Sequence, residues 1–313
     1  MKTILRTAVK IAVSFCLIGF LLYRSDLHAI RLQLLQSLPD FAVLTFAAYF
    51  AMTAFQVVRW RLLLAGEVTL GRLLRYHLIA SFFQSVLPGG SMEVIKGYLL
   101  SRNIAGSRAY GSIAFVKILG IVVLLPLLAL ILIWKPDFLP EKGQLPAAVG
   151  MMLAILLMVL VLFSKRVSRF FFGFFHRFSN KPVVAMLMNF RQVLYEYRDQ
   201  KRVLFQSVVL SLLNFLVSVL FIYFSFRTVS FNPPLSACFF IVPVVSFFAM
   251  LPVSINGIGV REGLLLLLFK PYGLTAEVLL ASSVVVYAAY YTVCLTGGVV
   301  YLSSDVKGVR HAG

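Results

Sequence analysis

Leu87-Pro88-Gly89-Gly90-Ser91-Met92-Glu93 and Leu251-Pro252-Val253-Ser254-Ile255-Asn256-Gly257-Ile258-Gly259-Val260-Arg261-Glu262 are two apolar segments that break at proline and glycine and carry a glutamate beside the break. Of the 313 residues around and including them, 61% are hydrophobic and 13% charged, and the mean hydropathy is +0.95. So few polar residues cannot cover a water-facing surface, so the solvent for most of the chain is a bilayer. Irregular backbone survives at membrane depth only when it is buried in protein or lines a wet cavity. An ionisable side chain there costs at least about 2.5–3.5 kcal/mol. The backbone beside Glu93 and Glu262 is therefore expected to be non-helical, and the two glutamates to have a partner and a purpose.

A spanning helix needs about 20 apolar residues, and full spans are read at residues 4–23, 41–58, 111–134, 145–163, 203–226 and 277–302. The apolar stretches at 76–88, 235–251 and 263–269 reach about 18, 25 and 10 Å, short of a ~30 Å hydrocarbon core. They read as half-helices. The expected fold is all-α: a polytopic helical membrane protein with about six full spans and two re-entrant helical hairpins, in a single integral membrane domain over residues 1–313. Lys2, Arg6 and Lys10 precede an apolar run in the manner of a signal peptide, but residues 24–31 offer a poor cleavage site, so an uncleaved first span is expected. Cys16, Cys238 and Cys294 lie in apolar stretches without metal or redox spacing and read as small core residues.

The formal charge of +18 is distributed as punctuation between apolar spans rather than as one patch, so no nucleic-acid partner is expected. Basic residues collect on alternate loops, at Lys2, Arg6 and Lys10, at Arg59, Arg61, Arg72 and Arg75, at Arg102 and Arg108, and most densely between residues 164 and 202. By the positive-inside rule these loops are cytoplasmic, which puts both termini in the cytoplasm of a multi-pass protein of the inner (cytoplasmic) membrane. The hairpin at 76–100 then enters from the cytoplasmic side and that at 235–272 from outside. Interrupted segments in corresponding positions of two halves, here 1–134 and 145–302, suggest an inverted repeat. Residues 165–202 form a basic amphipathic interfacial segment. It suits either anionic headgroups or the simple role of a flat-lying connector.

For Glu93 the nearest cation is Lys96, on the same helical face. Arg261 points to another part of the helix than Glu262, so a more distant partner for Glu262 is expected, Lys117 or Lys10. Ser207, Ser211, Asn214, Ser218 and Ser225 form a polar stripe down the fifth span, and Tyr287 and Tyr291 stand above Gly297 and Gly298 in the last. Each suits a headgroup path or, more commonly, helix packing. No nucleotide-binding, metalloprotease, serine-hydrolase or metal-ligand pattern occurs, so no metal, no cofactor and no catalytic residue are expected. His77, Glu93 and Lys96 are the one conceivable acid–base set.

Arg59-Trp60-Arg61-Leu62-Leu63-Leu64, the first hairpin continued through Val94-Ile95-Lys96-Gly97-Tyr98-Leu99-Leu100, and the second through Gly263 together resemble the lysylphosphatidylglycerol synthase transmembrane region family over essentially the whole chain. In that family the first hairpin commonly reads Leu-Pro-Gly-Arg-x-Gly-Glu-x-x-Arg. Glu93 matches its glutamate and Lys96 replaces its arginine, while Gly90 and Met92 depart from it. Lys117 stands for an expected arginine, Gly120 for an aspartate, and Tyr287-Ala288 for a tyrosine-arginine pair, which implies altered headgroup contacts.

The resemblance implies a flippase-like lipid transporter or scramblase, moving a phospholipid or lipid-linked headgroup between leaflets through a charged gap between opposed hairpins. Glu93, Lys96, Arg261, Glu262, Lys117 and Asn214 would bind the substrate. Pro88, Gly89, Gly90, Pro252, Gly257 and Gly259 would shape the hairpin backbone. Larger members of the family add a soluble aminoacyltransferase domain. With residues 303–313 following the last span, synthase activity is expected to be absent. The alternative is an integral-membrane enzyme or accessory subunit acting on a polyprenoid or glycolipid substrate, and a protein partner or a second copy could accompany either.

Overall fold

The computed structural model describes residues 25–87, 91–134, 200–250 and 257–303, with Gly19 and Tyr23 ahead of them. Among the described residues the ordered elements are helical: α1 (Leu27–Leu35), α2 (Pro39–Leu63), α3 (Leu70–Val86), α4 (Ser91–Ser101), α5 (Gly106–Trp134), α6 (Lys201–Thr228), α7 (Leu235–Met250), α8 (Val260–Phe269), a 3₁₀ turn Lys270–Tyr272, and α9 (Ala276–Ser303). The protein is an all-α polytopic membrane protein. Among the described residues four stretches are long and apolar enough to cross a bilayer: Pro39–Leu63, Gly106–Leu124, Lys201–Thr228 and Ala276–Ser303. They contain or overlap the spans expected at 41–58, 111–134, 203–226 and 277–302. The spans expected at 4–23 and 145–163 lie, but for Gly19 and Tyr23, outside the described residues. So do the segment 165–199, Lys10, Cys16, Pro88, Gly89, Gly90 and Pro252.

The short helices appear where the sequence breaks its apolar runs. α3 has 17 residues and α4 has 11, and α7 has 16 and α8 has 10. At 1.5 Å per residue each falls short of the ~30 Å hydrocarbon core. Glu93 and Glu262 themselves lie in the first turns of α4 and α8, and the backbone just ahead of Glu262 is non-helical at Gly257 and Gly259, while that just ahead of α4 lies outside the described residues. A carboxylate in a first turn faces the positive end of the helix dipole and its unpaired N–H groups, which makes that turn a better seat for it than the break itself.

The described residues fall into two compact units, interleaved along the chain. The first takes those within Met1–Ala54, Leu74–Ile95 and Asn214–Gly313, the second those within Phe55–Leu73 and Lys96–Leu213. In the first unit α1 packs on α9, α7 against α8, and α8 against α9. Asp26 caps α1, accepting from the His28 N–H at 2.8 Å. Ile30, Val229, Leu280 and Ala281 form one core cluster, and Phe226 meets Phe231 and Phe269 edge to face at 5.3 and 5.1 Å. Gly297 and Gly298 of α9 leave no room for a side chain against the Leu78 backbone and the Phe82 ring of α3, the close approach that small residues permit between helices in lipid.

In the second unit Leu63, Phe115 and Leu119 form the core, with Val203, Leu204 and Val208 against them. The Trp60 indole N–H donates to Ser112 Oγ at 3.1 Å, Arg108 pairs with Glu67 at 2.6 Å, and Gly97 of α4 sits beneath the Tyr110 ring.

Candidate functional site

The second interrupted segment builds the site. The chain reaches α8 through Gly257 and Gly259, whose φ values of 77° and 84° suit glycine and strain any other residue. Gly257 lies against Ala249, so the chain has folded back onto α7. At the third position of α8, the Glu262 side chain turns back and its Oε2 accepts from the Gly259 N–H at 2.7 Å, the carboxylate half of a capping box. That turn brings Oε1 beside its own neighbour. Arg261 donates to it from Nε at 3.0 Å and from Nη2 at 2.6 Å, and the Tyr287 hydroxyl of α9 donates at 3.0 Å.

Four hydrogen bonds reach the carboxylate, three at Oε1 and one at Oε2, and Glu262 is 1% exposed. The expectation of a distant cation is therefore corrected. Arg261 is itself the partner, since the arginine reaches back along the helix while the capping interaction draws the carboxylate to meet it. The Arg261 guanidinium also lies over the Tyr287 ring, 4.9 Å from its centroid. Its Nη1 makes no hydrogen bond among the described residues.

Arg261 opens onto a cavity of about 300 Å³ within the first unit, walled by α2, α3, α6, α7, α8 and α9. Its apolar lining includes Met52, Phe221, Val242 and Val286, and its polar lining includes Ser85, Ser218 and Ser246. Tyr49, Tyr290 and Tyr291 form a corner in it. The Tyr49 and Tyr290 rings meet at 6.3 Å and 81°, the Tyr290 and Tyr291 rings at 5.1 Å and 68°. An apolar concavity with a few converging polar groups has the character of a small-molecule site, and the one cation among its described lining residues is neutralised by the carboxylate behind it.

Of the six residues proposed from sequence as substrate contacts, the structure brings Arg261 and Glu262 together at this cavity. Glu93, half-buried on α4, and Asn214 on α6 belong to the same unit but do not line it. Lys96 and Lys117 belong to the second unit. Lys96 places its ammonium 5.6 Å from the Trp60 ring centroid, and Lys117 is exposed on α5. His77 is buried on α3.

The serine stripe divides. Ser218 lines the cavity, while Ser211, Ser218 and Ser225 all donate to carbonyls of their own helix. Tyr287 and Tyr291 belong to the cavity, and Gly297 and Gly298 to packing. Sequence reasoning missed Tyr49 and Tyr290. It also missed Arg59, buried in the second unit with Nη1 donating to Ser211 Oγ at 2.6 Å and Nε unbonded.

The model of the Lysylphosphatidylglycerol synthase TM region family matches residues 7–298. The chain belongs to that family. A curated relative, the UPF0104 membrane protein of Methanothermobacter thermautotrophicus (strain Delta H), is 25% identical over 320 residues, covering 93% of this chain and 90% of its own length. The family match includes both interrupted segments and the whole of the cavity lining, so the arginine–glutamate pair and the tyrosine corner lie within the family's membrane region.

Proposed function

We propose that this protein is a flippase-like lipid transporter, which lets a polar headgroup cross the bilayer through the first unit while the acyl chains stay in lipid. The single observation that carries this reading is an apolar, tyrosine-lined cavity that holds the Arg261–Glu262 pair with one guanidinium nitrogen unengaged among the described residues. Charge inside an apolar chain is costly and is retained where a pathway uses it. Family membership favours a lipid-related role, and the absence of a nucleotide-binding sequence favours downhill or ion-coupled movement over ATP-driven movement and over enzyme chemistry.

In this reading Glu262 is a fixed anchor for Arg261 rather than a mobile proton carrier, because releasing it would break four hydrogen bonds. The protein sits in the cytoplasmic membrane with both termini inside, and the α3–α4 and α7–α8 hairpins enter from opposite faces, as the loop charges imply.

Purified protein in liposomes is expected to accelerate inter-leaflet movement of fluorescent phospholipids, read by chemical quenching of the outer leaflet. Arg261→Gln and Glu262→Gln are expected to slow it at least tenfold. Rates no faster than in empty liposomes, across phospholipids and polyprenyl phosphates, would overturn the reading.

A further inference from the structure

The chemistry of the cavity restricts what it can take, and the restriction rests on the transport reading above while going beyond it. Its carboxylate is buried and paired: both oxygens of Glu262 accept hydrogen bonds and the residue is 1% exposed. A headgroup with an extra positive charge therefore finds no free anion. Its guanidinium is only partly spent, for Nη1 makes no hydrogen bond among the described residues, and arginine suits phosphate through parallel N–H donors.

The Arg261–Glu262 pair is neutral as a whole. A headgroup carrying net negative charge would leave that charge uncompensated among apolar walls, where desolvation of an ion is expensive. A headgroup carrying its own compensating cation would not. The remaining wall supplies a place for that cation. The Tyr290 ring meets Tyr49 at 81° and Tyr291 at 68°, and aromatic rings within about 6 Å of an ammonium attract it through their negative faces, the chemistry of aromatic cages for choline-like groups. The Tyr287 face is already covered by Arg261, so the two charges of a zwitterion would have separate seats. A volume of about 300 Å³ admits a headgroup but not two acyl chains, in keeping with the small end of ligand pockets.

We infer that the cavity selects a zwitterionic phosphodiester headgroup, its phosphate on Arg261 and its ammonium in the corner of Tyr49, Tyr290 and Tyr291, over net-anionic and net-cationic headgroups.

Binding in detergent micelles tests this apart from transport. The probes are dihexanoyl phosphatidylethanolamine, phosphatidylcholine, phosphatidylglycerol and lysyl-phosphatidylglycerol, titrated by calorimetry. The two zwitterionic probes are expected to bind at least tenfold tighter than the other two, and Tyr290→Leu to erase the difference between phosphatidylethanolamine and phosphatidylglycerol. Tyr291→Leu, at a 43% exposed position, is the second variant should Tyr290→Leu not fold, and is expected to reduce the same ratio. Tighter binding of phosphatidylglycerol or its lysyl ester, or a ratio unmoved in a folded tyrosine variant, would overturn the inference. Selective binding without lipid movement in liposomes would end the transport reading and leave the inference standing. Movement without headgroup selectivity would do the reverse.

Discussion

The Tyr287 hydroxyl donates to Glu262 Oε1 at 3.0 Å, joining α9 to the start of α8 across 25 positions of sequence. This bond makes the pair a fixture of the first unit and not a property of α8 alone. A buried hydrogen bond to a charged acceptor contributes about 1.5–3 kcal/mol. Tyr287→Phe keeps the ring under Arg261 and loses only that bond. It is expected to lower the melting temperature in detergent by several degrees and to slow lipid movement less than Arg261→Gln does. Differential scanning fluorimetry and the liposome assay check both, and an unchanged melting temperature would show that the bond carries no weight.

Three glycines around α8 form an internally controlled series. Gly257 and Gly259 have positive φ, and a Cβ on Gly257 would also press on Ala249. Gly263 has neither constraint, with nothing within 4 Å of a Cβ. Left-handed backbone costs a residue with a Cβ about 1–2 kcal/mol, whereas alanine inside a helix gains roughly 0.5–1 kcal/mol over glycine. Gly257→Ala and Gly259→Ala are expected to destabilise and Gly263→Ala to stabilise, as read by thermal melts of the three variants.

Gly297 faces the backbone of Leu78, which cannot swing aside as a side chain could. Gly297→Leu is expected to pry α9 from α3 and to reduce the yield of monodisperse protein on size exclusion several-fold. Gly120→Leu, where nothing lies within 4 Å of a Cβ, is expected to leave the yield near that of the parent.

Arg59 is 8% exposed, bonded to Ser211 and without a carboxylate partner among the described residues. Burying a lone cation is costly even in a favourable hydrogen-bonding geometry. Arg59→Met, which keeps the apolar stem, is expected to raise the melting temperature. A fall would show that the guanidinium stabilises the second unit.

The four described spans were legible because lipid imposes a length of about 20 apolar residues, and the short helices because proline and glycine end such runs early. Glu262 was legible as a charge in the wrong solvent. Its partner was not. Neighbours on a helix point about 100° apart, and that rule holds for Cβ directions but not for a long guanidinium meeting a carboxylate that has bent back to cap its own helix. Tyr49 and Tyr290 passed unremarked because a tyrosine within an apolar run resembles any core aromatic. Only the fold shows that rings from α2 and α9 meet. Arg59 read as a cytoplasmic charge marker, because a sequence records that an arginine follows a span and not that the helix carries it inward.

Arg261 and Glu262 are consecutive in the chain and satisfy one another, so their opposite charges move with α8 as a single neutral dipole. A shift of α8 along the membrane normal would sever the tether to Tyr287 but would never drag a naked ion through hydrocarbon.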